Sequence, residues 1–298
     1  MYICPEALLG NCLRNISSCY IIAKHFNFNL LIDMTHIGGI RPKEHLIIHM
    51  LLPEICRMNC DNKYIKYKYR EVANFDKIYF NGTNTNLICE GRFTPKDRYN
   101  FGIESMIFNT IPGNMTNEEF ISEKIKFYKQ LTFPSDLVKC VNNFKNKHDL
   151  ANCIGVHIRY TDNIGDRGKS DYYLNTNFET FFNKINTLSN EKLLICSDNA
   201  EVIKNLKESN MKNLIFADEC ILRVIEYQKY LQPFYEMMLL SNTKLIIGSS
   251  SSTFSYEAAF FNGTDIELYE EKGNTKTSIY SHAQPIMEWK LYELSKYK

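Results

Sequence analysis

Short apolar runs alternate with amphipathic stretches through the second half of the chain. Five of the runs have the length and composition of buried strands, at 154–159, 192–196, 214–217, 244–248 and 266–269. Four of the stretches repeat apolar residues at helical spacing, at 178–188, 200–208, 234–241 (opened by Pro233) and 254–261. Strands that alternate with helices form a parallel sheet, so this half is predicted to be a doubly wound α/β domain.

The first half shows a weaker form of the same alternation. A Gly10-Asn11 turn is expected to lead into a helix at 15–26, with Arg14 in its first turn, and a strand follows at 28–33. Further strands are predicted at 64–69, 78–80 and 86–89, and further helices at 43–52, 118–131, 135–147 and 286–297. A polar, lysine-rich stretch at 142–152 marks the expected boundary between domains 1–148 and 149–298.

Composition limits the classes of function. The 298 residues carry 35 basic and 34 acidic side chains, a net charge of +1 that disfavours nucleic acid and acidic lipid as partners. Most of the ten cysteines lie in apolar runs, as expected for free thiols in a reducing compartment. Neither a signal peptide nor a membrane-spanning run is visible in the sequence, so we expect a cytoplasmic protein.

Candidate chemistry begins where the strand at 154–159 ends. The segment Cys153-Ile-Gly-Val-His-Ile-Arg-Tyr-Thr-Asp162 delivers His157, Arg159 and Asp162 to the carboxyl edge of the sheet, where ligands of α/β proteins bind. The guanidinium of arginine suits a phosphate group because its planar fork gives paired hydrogen bonds. The alternative is an Arg–Asp pair at the protein surface.

Two other strand ends are predicted to reach the same edge. One ends at Asp198, and the other runs into Ser249-Ser-Ser-Ser-Thr253 before a helix. A helix amino terminus binds phosphate through its backbone N–H groups, and a single cap would need one hydroxyl rather than five. Together with Arg159 this stretch predicts a diphosphate site; the alternative is a mobile polar loop.

Other chemistries fit the sequence less well. The segment Gly165-Asp-Arg-Gly-Lys169-Ser170 has two residues between its glycines where a P-loop needs four. Neither Gly-x-Gly-x-x-Gly nor Gly-x-Ser-x-Gly occurs. His45 and His49 share a helix face but have no third ligand nearby, so we expect no metal site and no cofactor. Arg14 is either exposed or paired with a ligand anion or an acid.

Three segments resemble the motifs of GDP-fucosyltransferases, most closely the α1,6 and Nod-factor group and the protein O-fucosyltransferases. These segments are HIRYTDN, LLICSDN and YEMMLLSNTKLIIGSSSSTFSYEAAF, and the opening GNCLRNISSCYIIAKHFNFNLLID is similar as well. The resemblance implies a GT-B fold, in which two Rossmann-like domains face a cleft and a terminal helix packs back. It also implies inverting, metal-independent transfer from GDP-fucose.

The resemblance assigns roles residue by residue. Arg159 would hold the diphosphate within a cradle formed by Ser251, Ser252, Thr253 and Phe254. Glu236 would bind guanine, which offers paired donors to one carboxylate. His157 would frame the base, with Asp198 at the same donor site. Asn11 and Arg14 would border the cleft between donor and acceptor.

Departures from the family pattern concern the catalytic base. Tyr160 replaces the second arginine of the α1,6 group. In the loop that follows, that group has a lysine and then a glutamate that acts as the catalytic base; here Asn163 stands at the lysine position and Arg167 at the glutamate position. Asp166 or Asp162 is then the candidate base. The alternatives are a catalytically silent GDP-sugar or glycan-binding protein on the same fold, or a transferase that uses another nucleotide sugar.

Overall fold

The computed structural model of the chain describes residues 2–4, 9–26, 31–32, 88–90, 116–160, 178–217, 228–249, 252–270 and 273–277. The chain divides into two units, of which the first includes Met1–Thr132 and the second is Phe133–Ser281. The second unit therefore starts before the helix at 135–148, whereas the sequence placed the domain boundary after it. No helix among the described residues is both long enough and apolar enough to cross a membrane.

The first unit contains a small parallel sheet and two packed helices. Its described elements are β1 (Tyr2–Cys4), α1 (Leu9–Phe26), β2 (Leu31–Ile32), β3 (Ile88–Glu90) and α2 (Asn117–Lys129). The strand order is β2-β1-β3. The rings of Tyr20 and Phe127 lie 5.1 Å apart between α1 and α2, and Lys24 Nζ lies 2.6 Å from Glu123 Oε2. The apolar and ionic contacts together hold the two helices side by side.

The start of α1 corrects one prediction. The helix begins at Leu9 rather than at residue 15, so Gly10 and Asn11 lie within it and do not form a turn before it. Arg14 consequently lies in the second turn. The reason is that Cys12, Leu13 and Ile16 continue the buried face toward the amino terminus, and this packing outweighs the low helix propensity of glycine. The predicted elements at 43–52, 64–69, 78–80 and 286–297, with His45 and His49, lie outside the described residues.

The second unit has the predicted α/β fold with a parallel sheet. In chain order its elements are α3 (Ser135–His148), β4 (Ile154–Ile158), α4 (Phe178–Thr187), β5 (Leu193–Ser197), α5 (Ala200–Glu208), β6 (Leu214–Phe216), α6 (Gln228–Leu240), β7 (Leu245–Ser249), α7 (Thr253–Phe260), β8 (Ile266–Glu270) and β9 (Gly273–Thr277). The order in the sheet is β6-β5-β4-β7-β8-β9, and of these described strands only the β8–β9 pair is antiparallel.

Alternate residues of β4 serve the two faces of this sheet. Ile154, Val156 and Ile158 pack into a core with side chains of α4, α5 and the neighbouring strands. Gly155 and His157 point to the opposite face, where a Cβ built at Gly155 would lie 2.8 Å from a methyl group of Leu240. Because both faces are covered, four of the five residues of the strand have no polar side chain, which explains why it was visible in the sequence.

Two features of the second unit differ from the prediction. Helix α6 starts at Gln228 and contains Pro233, which the sequence placed at its start. The proline removes one backbone donor, and the buried side chains of Leu231 and Phe234 show the apolar packing that offsets this loss. Strand β9 follows the strand that was expected to be the last. Its residues, Gly-Asn-Thr-Lys-Thr, lack the apolar character that indicated the other strands.

Candidate functional site

The carboxyl ends of β4, β5 and β7 meet at one edge of the sheet. Strand β4 lies between the other two and runs parallel to both, with His157 opposite Cys196 on one side and Gly248 on the other. After β4, the chain adds β5 and β6 on one side of β4 and then adds β7 and β8 on its other side. The point between β4 and β7 is therefore the topological switch point, where open α/β sheets bind their ligands.

Side chains from both neighbouring strands fix the backbone at the end of β4. The N–H of Arg159 donates to Ser249 Oγ of β7 at 3.0 Å, and the N–H of Tyr160 donates to Asp198 Oδ1 at 2.8 Å. Ser197 Oγ donates to the carbonyl of Ile158 at 2.8 Å. Arg159 thus stands at the switch point on a backbone held from two sides. Asp198, predicted to bind the donor, supports this backbone.

His157 is buried beneath the start of α7. The residue is 3% exposed, and its Nδ1 lies 2.8 Å from Ser255 Oγ and 3.5 Å from Ser252 Oγ. The ring stacks on Phe254 with a centroid separation of 4.6 Å. The pKa of His157 is lowered to about 4, because burial disfavours the charged ring; Asp198 opposes this shift and the cation of Arg159 adds to it. The imidazole is therefore neutral at pH 7 and bonds to α7.

The first turn of α7 differs from that of α5. Asn199 caps α5 by accepting from the N–H groups of Glu201 and Val202 at 2.8 and 3.1 Å. Ser252 holds the corresponding position before α7, but its side chain makes no capping hydrogen bond. Because the hydroxyl of Ser252 faces His157 instead, the first turn of α7 keeps N–H groups that a bound anion can accept from.

Close packing of β7 against α7 makes this arrangement possible. A Cβ built at Gly248 would lie 2.4 Å from Ser255 Cβ and 2.5 Å from Ser255 Oγ. Only glycine at position 248 leaves the room that Ser255 needs to reach His157. Neither residue was predicted, because the sequence does not reveal which residue of the helix crosses which residue of the strand.

The other predicted site residues fall into three groups. Glu236 lies in α6, half-buried, and accepts a hydrogen bond from Gln232 Nε2 at 3.0 Å. It is about 6 Å along the helix axis from Leu240, which contacts the amino-terminal half of β4. Asn11 and Arg14 belong to α1 of the first unit. Asp162, Asp166 and Ser251 lie outside the described residues.

Searches of protein-family models and of curated protein sequences find no match to this chain. Solved structures do match in fold. The fucosyltransferase NodZ from Bradyrhizobium is 13% identical with a TM-score of 0.53, over 93% of this chain and 98% of that one. A NodZ α-1,6-fucosyltransferase crystal soaked with GDP-fucose gives a TM-score of 0.55 at 12% identity, with the same coverage. The chain therefore has a GDP-fucosyltransferase-like fold, in agreement with the resemblance of its sequence motifs.

Proposed function

We propose that this chain is a glycosyltransferase that moves fucose from GDP-fucose to a hydroxyl group of a glycan or protein. The observation that carries the proposal is the placement of Arg159 and the start of α7 at one switch point. The hydrogen bond from the Arg159 N–H to Ser249 Oγ and the contact of His157 with Ser255 join the two elements there. A guanidinium beside an uncapped helix start suits a pyrophosphate.

The same groups would provide most of the catalysis. When the bond between fucose and GDP breaks, the leaving diphosphate gains negative charge, which Arg159 and the N–H groups of Thr253 and Phe254 would stabilise. Ser251 and Ser252 would add hydroxyl donors. Fixed donors of this kind would take the part of a metal ion, so we propose a metal-independent reaction without a cofactor.

An aspartate from the residues that follow β4 would act as the base. Asp166 or Asp162 would take the proton of the acceptor hydroxyl. The oxygen of that hydroxyl would attack the anomeric carbon of fucose from the side opposite GDP. In-line attack of this kind inverts the configuration of the sugar. Residues of the first unit, with Asn11 and Arg14 among them, would meet the acceptor in a GT-B arrangement.

Guanine recognition is proposed for Glu236, whose carboxylate can accept from both donors on one edge of the base. Its contact with Gln232 one turn earlier fixes the side chain on α6. Because His157 is buried and neutral, we propose that it shapes the start of α7 beneath the nucleotide rather than binding a phosphate by charge.

A second candidate is a protein that binds a GDP-sugar or a glycan without transferring the sugar. Tyr160 favours it, because this residue stands where the α1,6 group has its second arginine. Incubation with GDP-fucose separates the candidates: a transferase releases GDP by transfer or slow hydrolysis, whereas a silent binding protein does not. A panel of GDP, UDP and ADP sugars tests the choice of donor.

Arg159→Ala tests the proposed enzyme directly. We expect GDP release to fall about 100- to 1,000-fold, the loss typical of removing one donor to a developing oxyanion. The fold is retained, because the bond to Ser249 uses the backbone N–H of residue 159. Lys204→Ala, which removes an exposed cation from α5 of the same unit, is the control. Near-normal turnover by Arg159→Ala would overturn the proposed role.

A further inference from the structure

Ser255 is a polar side chain in the buried part of α7. It is 0% exposed, and four of the five residues that follow it are the buried Glu257, Ala258, Ala259 and Phe260. A buried hydroxyl costs free energy unless it is hydrogen-bonded, and alanine would fill nearly the same volume. The partner of Ser255 is the equally buried Nδ1 of His157, 2.8 Å away on the central strand.

We propose that Ser255 is a positioning residue for the nucleotide site, because its hydroxyl holds the imidazole of His157 and thereby fixes the first turn of α7 against the end of β4. The inference rests on the proposed function. It adds a residue that neither touches the donor nor belongs to the hydroxyl run before the helix.

The geometry explains why a hydrogen bond is needed at this point. His157 is two residues before Arg159, and Ser255 is two residues after Thr253, so the bond joins the two halves of the diphosphate site directly behind their ligand-facing groups. An apolar contact sets no direction, whereas a hydrogen bond fixes both the distance and the ring orientation. The stacked ring of Phe254 and the second hydroxyl, of Ser252 at 3.5 Å, restrain the imidazole further.

Gly248 provides the space for the contact between Ser255 and His157. A side chain there would meet Ser255 at 2.4 Å and push the helix start away from His157. The double variant Gly248→Ala/Ser255→Gly moves one Cβ across this contact. It keeps a carbon atom in the contact but lacks the hydroxyl, so a loss of affinity that it shares with Ser255→Ala points to the hydrogen bond rather than to packing.

The experiment is calorimetric binding of GDP to the full chain. We expect Ser255→Ala and the double variant to bind GDP about tenfold more weakly than the wild type, since a tenfold change corresponds to the loss of about one hydrogen bond. The control is Ser241→Ala, which removes another buried hydroxyl of the same unit, bonded to the Met238 carbonyl at 2.8 Å. Its affinity should stay within about twofold of the wild type.

Nitrogen NMR of the His157 imidazole supplies a readout that depends directly on this bond. The Nδ1 resonance should shift in Ser255→Ala and in the double variant and should be unchanged in Ser241→Ala, because only the first two remove the partner of that nitrogen. The resonance is assigned by its loss in His157→Asn.

The outcomes separate the two proposals. A wild-type protein that does not bind GDP overturns the proposed function, and this inference with it. A wild-type protein that binds GDP, with Ser255→Ala matching its affinity, overturns the positioning role and leaves the proposed function standing. Equal losses in Ser255→Ala and Ser241→Ala would also overturn it, because they would show general destabilisation.

Discussion

The buried imidazole of His157 should make the folded protein sensitive to acid. In the unfolded chain this ring takes up a proton near pH 6.5, whereas burial holds the pKa in the folded protein at about 4. Between these values the unfolded state binds more protons, so the free energy of unfolding falls as the pH falls. Below about pH 4 the contribution stops growing, because both states are then protonated.

The size of the effect follows from the two pKa values. Between pH 7 and pH 5 the linkage relation gives a loss of about 2 kcal/mol from this one residue. The variant His157→Asn isolates the contribution of His157 to this pH dependence, because asparagine can still bond to Ser255 but does not titrate in this range. Other groups titrate equally in both proteins, so the difference between the two pH profiles reports His157.

The assay is urea unfolding followed by circular dichroism at pH 7, 6, 5 and 4. We expect the wild type to lose about 2 kcal/mol more than His157→Asn between pH 7 and pH 5. Parallel profiles for the two proteins would refute the reasoning, since they would mean that the folded imidazole accepts a proton as readily as the unfolded one does.

Two further substitutions test the packing of the same unit. Gly248→Ala should lower the free energy of unfolding by about 1–3 kcal/mol in urea unfolding, because its methyl group would overlap Ser255, and an unchanged midpoint would contradict the close approach. Adding Ser255→Gly should relieve the overlap but not replace the hydrogen bond to His157, so the double variant should recover only part of this loss. Lys184→Met should cost about 3–5 kcal/mol in the same assay, because Lys184 Nζ lies 2.9 Å from Glu267 Oε1 and both side chains are largely buried. Adding Glu267→Leu should restore most of that stability, and a double variant as unstable as the single one would count against a buried ion pair.

The strands of the second unit could be predicted because they are buried on both faces. A strand such as β4 must be apolar along most of its length, and polar residues then mark its end, so Arg159 and Asp198 were identified as edge residues. The hydroxyl run before α7 was recognised because it directly follows the apolar strand β7. Apart from α6, the helix boundaries in this unit lay close to those expected from periodicity, and α5 was predicted at the residues where it occurs.

The pairing of residues across elements could not be predicted. Nothing in the order of residues states that Gly248 lies opposite His157, or that Ser255 meets both, because these contacts depend on strand register and on the position of α7 along the sheet. Local rules also failed where packing outweighed them. Gly10 indicated a turn and Pro233 a helix start, yet both lie inside helices with buried apolar faces.

The short strand β9 has a consequence for self-association. Strand β8 pairs with β7 on one side, and without β9 its other side would present open backbone donors and acceptors that a second copy could extend. β9 takes up that side in antiparallel register, with Lys276 opposite Glu267. Among the described residues β9 is the last strand of the sheet, and its five residues are polar and include a lysine, a composition that discourages fibre-like stacking.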